Sequence, residues 1–424
     1  VIKVMLMKRV VITGMGAVTP IGVGITDYWD HLISGLSGVG IITRFPTDDL
    51  AVKIAAEVKE FAATDYLPKK LVRETDVFMQ YALVAAAEAL KTGTLLEGPG
   101  LLQAFLRPGR LGIVLGTSLG GINSALSAEE QLLSVGPDRI SPFTVPKMLA
   151  NVAAARIAIT YGIQGPSLTV NTACSSGADA VGLAAMLIRS GEADVMLAVG
   201  SESILCPLLT AGLASARALS RQNENPEKAS RPFDAGRDGF VMGEGAGAVL
   251  LESLEHAQGR GVRIDAELLG YASFTEGYHV TLPEPEGRGE INCMEKALAN
   301  AGLEPARIDY INAHGTSTKA GDLTETKALK AVFGTHLNQI PVSSSKGATG
   351  HLMGAGGITE LIACIKAIQT GIVPPTLNYS QPDPDCDLDY VPNVARQVPV
   401  NIAMSNAFGF GGQNSCLIIG KYEP

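Results

Sequence analysis

The sequence predicts an α/β fold built from layered sheets. Three observations carry this. Strand-like and helix-like segments alternate along all 424 residues. Runs such as Val195 to Val199 and Ala246 to Leu251 read as buried strands. A composition 46% hydrophobic and only 18% charged suits a large packed core and probes no fibrous or disordered class.

The elements follow in order. Val10-Val11-Ile12 predicts a strand that leads into a glycine-rich turn. Phe78 to Leu90 predicts an alanine-rich helix. Leu111 to Leu115 predicts a strand, followed by the loop Gly116-Thr117-Ser118-Leu119-Gly120-Gly121. Ser167 to Val170 is a short extended segment, and Ala178, Val181, Ala185 and Ile188 then recur at helical spacing. In the second half, Ile308 to Asn312 and Pro341 to Ser343 predict strands that end near His314 and Lys346. Glu360 to Ile368 predicts a helix with an apolar stripe. Met404 to Phe408 leads into Gly409-Phe410-Gly411-Gly412, and Cys416 to Ile419 predicts a closing strand. Ser220 to Lys228 and the proline-broken Gln381 to Asp387 read as surface loops. The halves share a theme without an exact repeat.

Composition excludes several function classes. A net charge of −9 argues against bulk nucleic-acid binding. The six cysteines (174, 206, 293, 364, 386 and 416) are scattered, and none has CxxC spacing. A zinc site or disulfide framework is therefore not expected, and a reducing compartment is. No apolar run is long enough to span a membrane, and no signal or transit peptide is recognisable. Val1 to Leu6 is apolar but short, and Met7 is an alternative start. The expected location is the cytoplasm of a bacterium, or an organelle matrix after removal of a transit peptide.

Cys174 is the most informative residue. It lies in Thr172-Ala173-Cys174-Ser175-Ser176-Gly177, between the extended segment and the helix. A thiol there faces the first free N–H groups of the helix, which favour thiolate. That is one way to make a nucleophile. A buried structural cysteine in a tight turn is the other reading, and position alone does not separate them.

Three further segments embed a reactive polar residue among small ones. They are Asn312 to Thr318 (NAHGTST), Ser343 to Gly357 (SSSKGATGHLMGAGG) and Ser405 to Asn414 (SNAFGFGGQN). Each begins as a strand and carries glycine after it, which lets a substrate approach the backbone. Two of the chain's six histidines sit in these segments.

Together the motifs resemble those of the β-ketoacyl-acyl-carrier-protein synthases, type II (elongating) branch. The resemblance runs from VVITGMGAVTPIG (Val10 to Gly22) through RPFDAGRDGFVMGEGAG (Arg231 to Gly247) to the final strand. It implies the thiolase fold, five layers α-β-α-β-α from two similar halves, here residues 1–260 with the cysteine and 261–424 with two histidines. It also implies a homodimer and 3-oxoacyl-[acyl-carrier-protein] synthase activity in fatty acid biosynthesis. That reaction is a decarboxylative Claisen condensation of malonyl-carrier protein with an enzyme-bound acyl group. No cofactor is implied, and 4'-phosphopantetheine arrives on the carrier protein.

Site residues carry over by position. Cys174 matches the acylated nucleophile. The backbone N–H groups of Cys174 and Phe410 match the oxyanion hole, and Phe410 also matches a gating residue. His314 and His351 match the pair that donates hydrogen bonds to an enolate. Lys346 matches a residue that orders the site; an ion pair with Glu325 or Glu360 is its other reading. Thr316 and Thr318 match phosphopantetheine contacts, with turn capping as the alternative. Leu119 and Thr144 match acyl-pocket positions. Asn312, Glu360, Ser405 and Asn406 match oxygen donors around a structural Na⁺ or K⁺. Lys69, Lys70 and Arg73 match a basic surface that docks the acidic carrier protein, extended by Arg139 and Arg217.

The chain departs from the family pattern in places. Thr144 in SPFTVP (Ser141 to Pro146) replaces a phenylalanine that reaches the partner subunit's acyl pocket. Gln413 replaces threonine, and Glu74 and Asp138 replace basic residues expected on the docking surface. A polyketide-type ketosynthase with a specialised carrier protein is the alternative reading. A thiolase is disfavoured because Cys416 lies in a strand rather than in the glycine loop. His351 disfavours the initiating branch, and Cys174 disfavours a non-catalytic chain-length factor. A cysteine hydrolase leaves the second histidine and Lys346 unexplained. The glycines of Phe408 to Gly412 (FGFGG), so near the C-terminus, do not fit dinucleotide binding.

Overall fold

The computed structural model describes residues 8–97, 101–103 and 106–424. The apolar run Val1 to Leu6 and the alternative start at Met7 lie outside the described residues. Ten strands form the backbone of one large mixed sheet: β1 Val10–Thr19, β2 Leu111–Gly116, β3 Ser167–Val170, β4 Val195–Glu202, β5 Gly245–Ser253, β6 Ala266–Thr275, β7 Tyr310–Asn312, β8 Val342–Ser343, β9 Ile402–Gly409 and β10 Gln413–Gly420. Their spatial order is β8-β7-β9-β10-β6-β1-β5-β4-β2-β3.

That order is a duplication. In each half the strands lie third, second, fourth, fifth, first. The first two neighbour pairs in that order are parallel and the next two antiparallel, in both halves. The halves meet where β1 pairs with β6 through Val11 with Glu267 and Ile12 with Ala266. The expected division at residues 260 and 261 falls in the connection between β5 and β6.

Helices complete five layers. α1 (Val77–Thr92) and α2 (Asn151–Tyr161) cover the outer face of the first half-sheet. Next, α3 (Ser176–Arg189) contacts strands of both halves. Then α4 (Arg288–Ala301) covers β6 and β10 and packs against α5 (Lys319–Phe333). Finally α6 (Gly356–Thr370) packs on α3 and on strands of both halves, so α3 and α6 form the central layer. Both are buried nearly all round, which explains their apolar and small-residue sequences.

One sequence expectation is corrected. The glycine-rich segment after Ile12 is not a turn: β1 runs on to Thr19. A Cβ at Gly14 would lie 2.2 Å from the Ala89 carbonyl oxygen, and one at Gly16 2.0 Å from that of Ala85. These glycines let α1 press directly onto the strand. The α1 start is fixed by Asp76, whose side chain accepts from the Phe78 N–H at 3.1 Å. No helix among the described residues is long and apolar enough to cross a membrane.

Candidate active site

The duplicated sheet places equivalent strand ends around one cavity. Cys174 follows β3 and His314 follows β7. Lys346 and His351 follow β8, and the Gly409–Gly412 turn joins β9 to β10. Ligands commonly bind beyond the carboxyl ends of parallel strands. The cavity here has a volume of about 550 Å³ and is lined by Cys174, His314, His351, Leu119, Thr316, Thr318, Arg217 and Phe410.

Cys174 sits in a tight turn, Ala173–Ser175, that leads into α3. The preceding Ala173 has φ 52°, a left-handed conformation costly for a residue with a Cβ. Its thiol is partly open to the cavity. Burial nevertheless pushes the thiol up to about 11, while the Phe410 N–H and Lys346 pull it down. The expectation of a helix-depressed thiol is therefore corrected: desolvation outweighs the local donors.

His351 Nε2 lies 3.0 Å from Cys174 Sγ. Its Nδ1 accepts from the Met353 N–H at 3.3 Å. That bond assigns the proton of the neutral ring to Nε2, facing the sulfur. Phe240 meets the ring edge-on, with centroids 5.3 Å apart. His314 stands at 84° to His351 with centroids 5.4 Å apart. Burial first, and the charge of Lys346 second, hold both imidazoles well below the usual histidine range, so both are neutral donors at pH 7.

The supports are buried. Lys346 pairs with Glu360, both about 2% exposed or less. This settles its partner, because Glu325 does something else. Glu325 accepts from the N–H groups of His314 at 2.8 Å and Gly315 at 2.7 Å, fixing the histidine turn. Burial lifts its carboxyl to about 7.

The glycine turn approaches the nucleophile closely. A Cβ on Gly409 would lie 2.7 Å from the Thr172 carbonyl oxygen and 3.2 Å from the Cys174 nitrogen. Phe410 is 39% exposed at the cavity wall. Thr316 and Thr318 face each other with hydroxyls 3.0 Å apart, and Thr318 also caps α5 by accepting from Gly321 at 3.2 Å. Leu119 lines the cavity. Thr144 does not: it opens a separate short helix, Thr144–Met148.

Asn312 and Ser405 are register partners across β7 and β9. The side-chain oxygens of Asn312 and Asn406 are buried without a hydrogen-bond partner among the described residues. The Asn406 amide nitrogen donates to buried Glu325 at 3.3 Å, and two orphaned amide oxygens are ligands that suit a hard cation. On the surface, Lys69, Lys70 and Arg73 are exposed on the helix Lys69–Glu74, and Arg139 and Arg217 are exposed. Arg217 lies at the cavity wall. Glu74 is not part of that surface: it is buried and pairs with Arg156 at 3.3 Å. Asp138 is exposed beside Arg139.

The model of the β-ketoacyl synthase N-terminal domain matches residues 7–257, and that of the C-terminal domain matches residues 265–380. The chain belongs to the β-ketoacyl synthase family. Among curated relatives, 3-oxoacyl-[acyl-carrier-protein] synthase 2 of Synechocystis sp. is 46% identical, over 98% of this chain and 99% of the relative. The enzyme of the same name from Coxiella burnetii is 44% identical, over 98% of this chain and 99% of the relative. A β-ketoacyl synthase from Burkholderia phymatum superposes with a TM-score of 0.90 at 34% identity, covering 98% of this chain and all of that one. A ketosynthase solved with a type II polyketide acyl-carrier protein gives 0.88 at 35% identity, with 98% and 100% coverage. This β-ketoacyl synthase is thus an acyltransferase of the elongating, type 2 group, with the thiolase-like fold.

Sequence reasoning missed several supports of this synthase's site. Met353 and Phe240 orient His351, and Glu202 binds the Leu119 loop from beneath. The only signal for Glu202 was an acid closing an otherwise apolar strand run.

Proposed function

We propose that Cys174 carries the growing acyl chain and that His314 and His351 drive the decarboxylative condensation. The observation that carries this reading is the fixed tautomer of His351, whose Nε2–H points at the sulfur from 3.0 Å. A neutral histidine donating from that atom is not poised to strip the thiol proton. It is poised to donate to an oxygen that gains negative charge beside the sulfur.

The steps balance without an external redox partner. The Cys174 sulfur attacks the acyl thioester, the bond to the pantetheine sulfur breaks, and that sulfur leaves with the thiol proton. The N–H groups of Cys174 and Phe410 receive the transient oxyanion. Malonyl thioester then enters, and its C–CO₂ bond breaks. His314 and His351 hold the resulting enolate oxygen by hydrogen bonds. The enolate carbon attacks the S-acyl carbonyl, the C–S bond to Cys174 breaks, a 3-ketoacyl thioester two carbons longer leaves on the carrier, and the Cys174 thiolate takes a proton from water to return to the thiol.

The finer assignments belong to the same reading. Thr316 and Thr318 contact the phosphopantetheine arm, and Lys69, Lys70, Arg73, Arg139 and Arg217 steer an acidic carrier protein. Asn312, Glu360, Ser405 and Asn406 would hold a structural monovalent cation. Exposed Leu133, Val145 and Ile159 support a homodimer face, on which Thr144 reaches the second copy's acyl pocket. The reading places the enzyme in the cytoplasm or an organelle matrix. Fatty acid rather than polyketide synthesis is favoured by 46% identity to the synthase 2 relative against 35% to the polyketide ketosynthase.

The test is direct. The protein is incubated with acyl- and malonyl-carrier proteins, and products are identified by mass. Wild type is expected to release the two-carbon-longer 3-ketoacyl product, and Cys174→Ala none. Condensation retained by Cys174→Ala would refute the reading.

A further inference from the structure

Glu202 ends β4 and its carboxylate is fully buried. Every group pointed at it is a donor. The N–H groups of Ser118 and Leu119 reach it at 2.5 and 3.2 Å, and the Thr117 hydroxyl at 3.1 Å. A fourth donor, the N–H of Gly354, comes from the other side at 3.3 Å. Gly354 is three residues past His351 and adjoins Met353, whose N–H fixes the His351 ring. The two loops are pressed together there: a Cβ on Gly354 would lie 2.8 Å from both Glu202 Oε2 and the Ser118 nitrogen.

Burial raises the Glu202 carboxyl, but the N–H groups and hydroxyl around it pull the other way, and a carboxylate, acceptor only, satisfies all four donors at once. Among the described residues no basic side chain pairs with Glu202, so peptide N–H groups and one hydroxyl compensate its charge. Such bonds are charge-assisted and short-ranged, and they hold geometry tightly. They hold the backbone of Leu119 while its side chain projects into the cavity. Ile122, Met353 and Cys174 belong to one apolar cluster at that wall.

We propose that Glu202 is a positioning residue for acyl-length selection, tying the Leu119 loop to the His351 loop so that the acyl wall keeps its place relative to the reacting sulfur. This rests on the reading of Leu119 as an acyl-chain contact. Without the carboxylate the Thr117–Leu119 segment is free to withdraw, and the wall no longer rejects poorly fitting chains.

The experiment compares kcat/KM for acyl-carrier proteins of increasing chain length in wild type, E202Q, T117V and L119A. Glutamine keeps the size of Glu202 but sets an amide NH₂ against N–H donors. E202Q is expected to flatten the ratio between best and worst chain lengths by about tenfold, the scale of one lost hydrogen bond to a charge. T117V removes one donor and is expected to shift the ratio the same way by less, which keeps the test open if E202Q fails to fold. A second readout is the pH dependence of Cys174 alkylation by iodoacetamide. Loss of the Glu202 charge is expected to move its midpoint to lower pH, since that charge disfavours the thiolate. A uniform fall in rate, with length ratios and midpoint unchanged, overturns the proposal and leaves Glu202 a purely structural residue. If L119A alters the length profile while E202Q and T117V do not, the proposal fails and the synthase reading stands. If wild type forms no 3-ketoacyl product, the synthase reading itself falls.

Discussion

Lys346 and Glu360 form an ion pair with almost no exposure to water, outside the lining of the cavity that Cys174, His314 and His351 share. The pair acts at a distance. The Lys346 charge disfavours protonation of both histidines and favours the Cys174 thiolate. Burial first and this cation second thus keep two imidazoles neutral, and the same cation favours the thiolate.

Replacing Lys346 by methionine is expected to cost stability as well as rate. Breaking a buried pair strands a carboxylate, at a cost of about 3–5 kcal/mol. Chemical denaturation measures this. At the same time the alkylation midpoint of Cys174 should rise, because a cation that favours thiolate is gone. A midpoint that stays put would show that Lys346 acts only as a structural partner of Glu360.

The pH profile of the free enzyme follows from burial. Cys174 is pushed up to about 11, so at pH 7 it is mostly thiol. Alkylation by iodoacetamide is expected to climb steadily from neutral toward that range. A plateau reached by pH 8 contradicts it. The two histidines set stability on the acid side. Their folded values lie below the unfolded one, so the unfolded chain binds more protons as pH falls through about 6.5. Their contribution is therefore complete above that pH and is lost below it.

Much of this was legible in the sequence, for identifiable reasons. Cys174, His314, Lys346, His351 and Phe410 each sit at a strand end among small residues, and the fold brings all but Lys346 to the cavity wall. The small residues are needed there for close approach, so they leave a pattern. Gly14 and Gly16 misled because glycine serves a tight turn and a close helix contact equally well. The thiol's raised value was hidden because burial is a property of the assembled layers, not of the turn. Glu74 read as a surface charge because nothing local reveals Arg156, which lies far along the chain. Glu202 was silent for the same reason: its donors are peptide N–H groups, which carry no side-chain signal.

Gly409 tests the oxyanion donors without touching a side chain. An alanine Cβ there meets only backbone, at Thr172, Gln413 and Cys174. The turn must shift, and the Phe410 N–H with it. Losing one such donor costs about 100- to 1000-fold in kcat. Gly409→Ala is expected to slow acylation of Cys174 by that order, with the fold retained by circular dichroism. Acylation at the wild-type rate would remove Phe410 N–H from the mechanism.

Thr144 tests the proposed share of a second copy in the acyl pocket. It lies outside this chain's cavity, next to exposed Val145. If a partner's Thr144 closes the acyl pocket, Thr144→Phe shortens that pocket. The longest accepted acyl-carrier substrates should then lose kcat/KM while short ones keep it. An unchanged length profile removes Thr144 from the acyl pocket.

His351 separates the two half-reactions. Its Nδ1 is committed to the Met353 N–H, so the ring offers the cavity a single donor, Nε2–H. In the proposed mechanism acyl transfer uses the sulfur and the two backbone N–H groups, none of which His351 supplies. Decarboxylation needs a donor where enolate charge develops. His351→Ala is therefore expected to form the acyl-enzyme, seen by intact-protein mass, yet to stall before releasing CO₂ from malonyl-carrier protein. Replacement by glutamine restores an N–H donor without an imidazole, and partial recovery of CO₂ release is expected. Failure of His351→Ala to acylate would mean that the ring instead activates the thiol, and that its proton sits on Nδ1 during the first step.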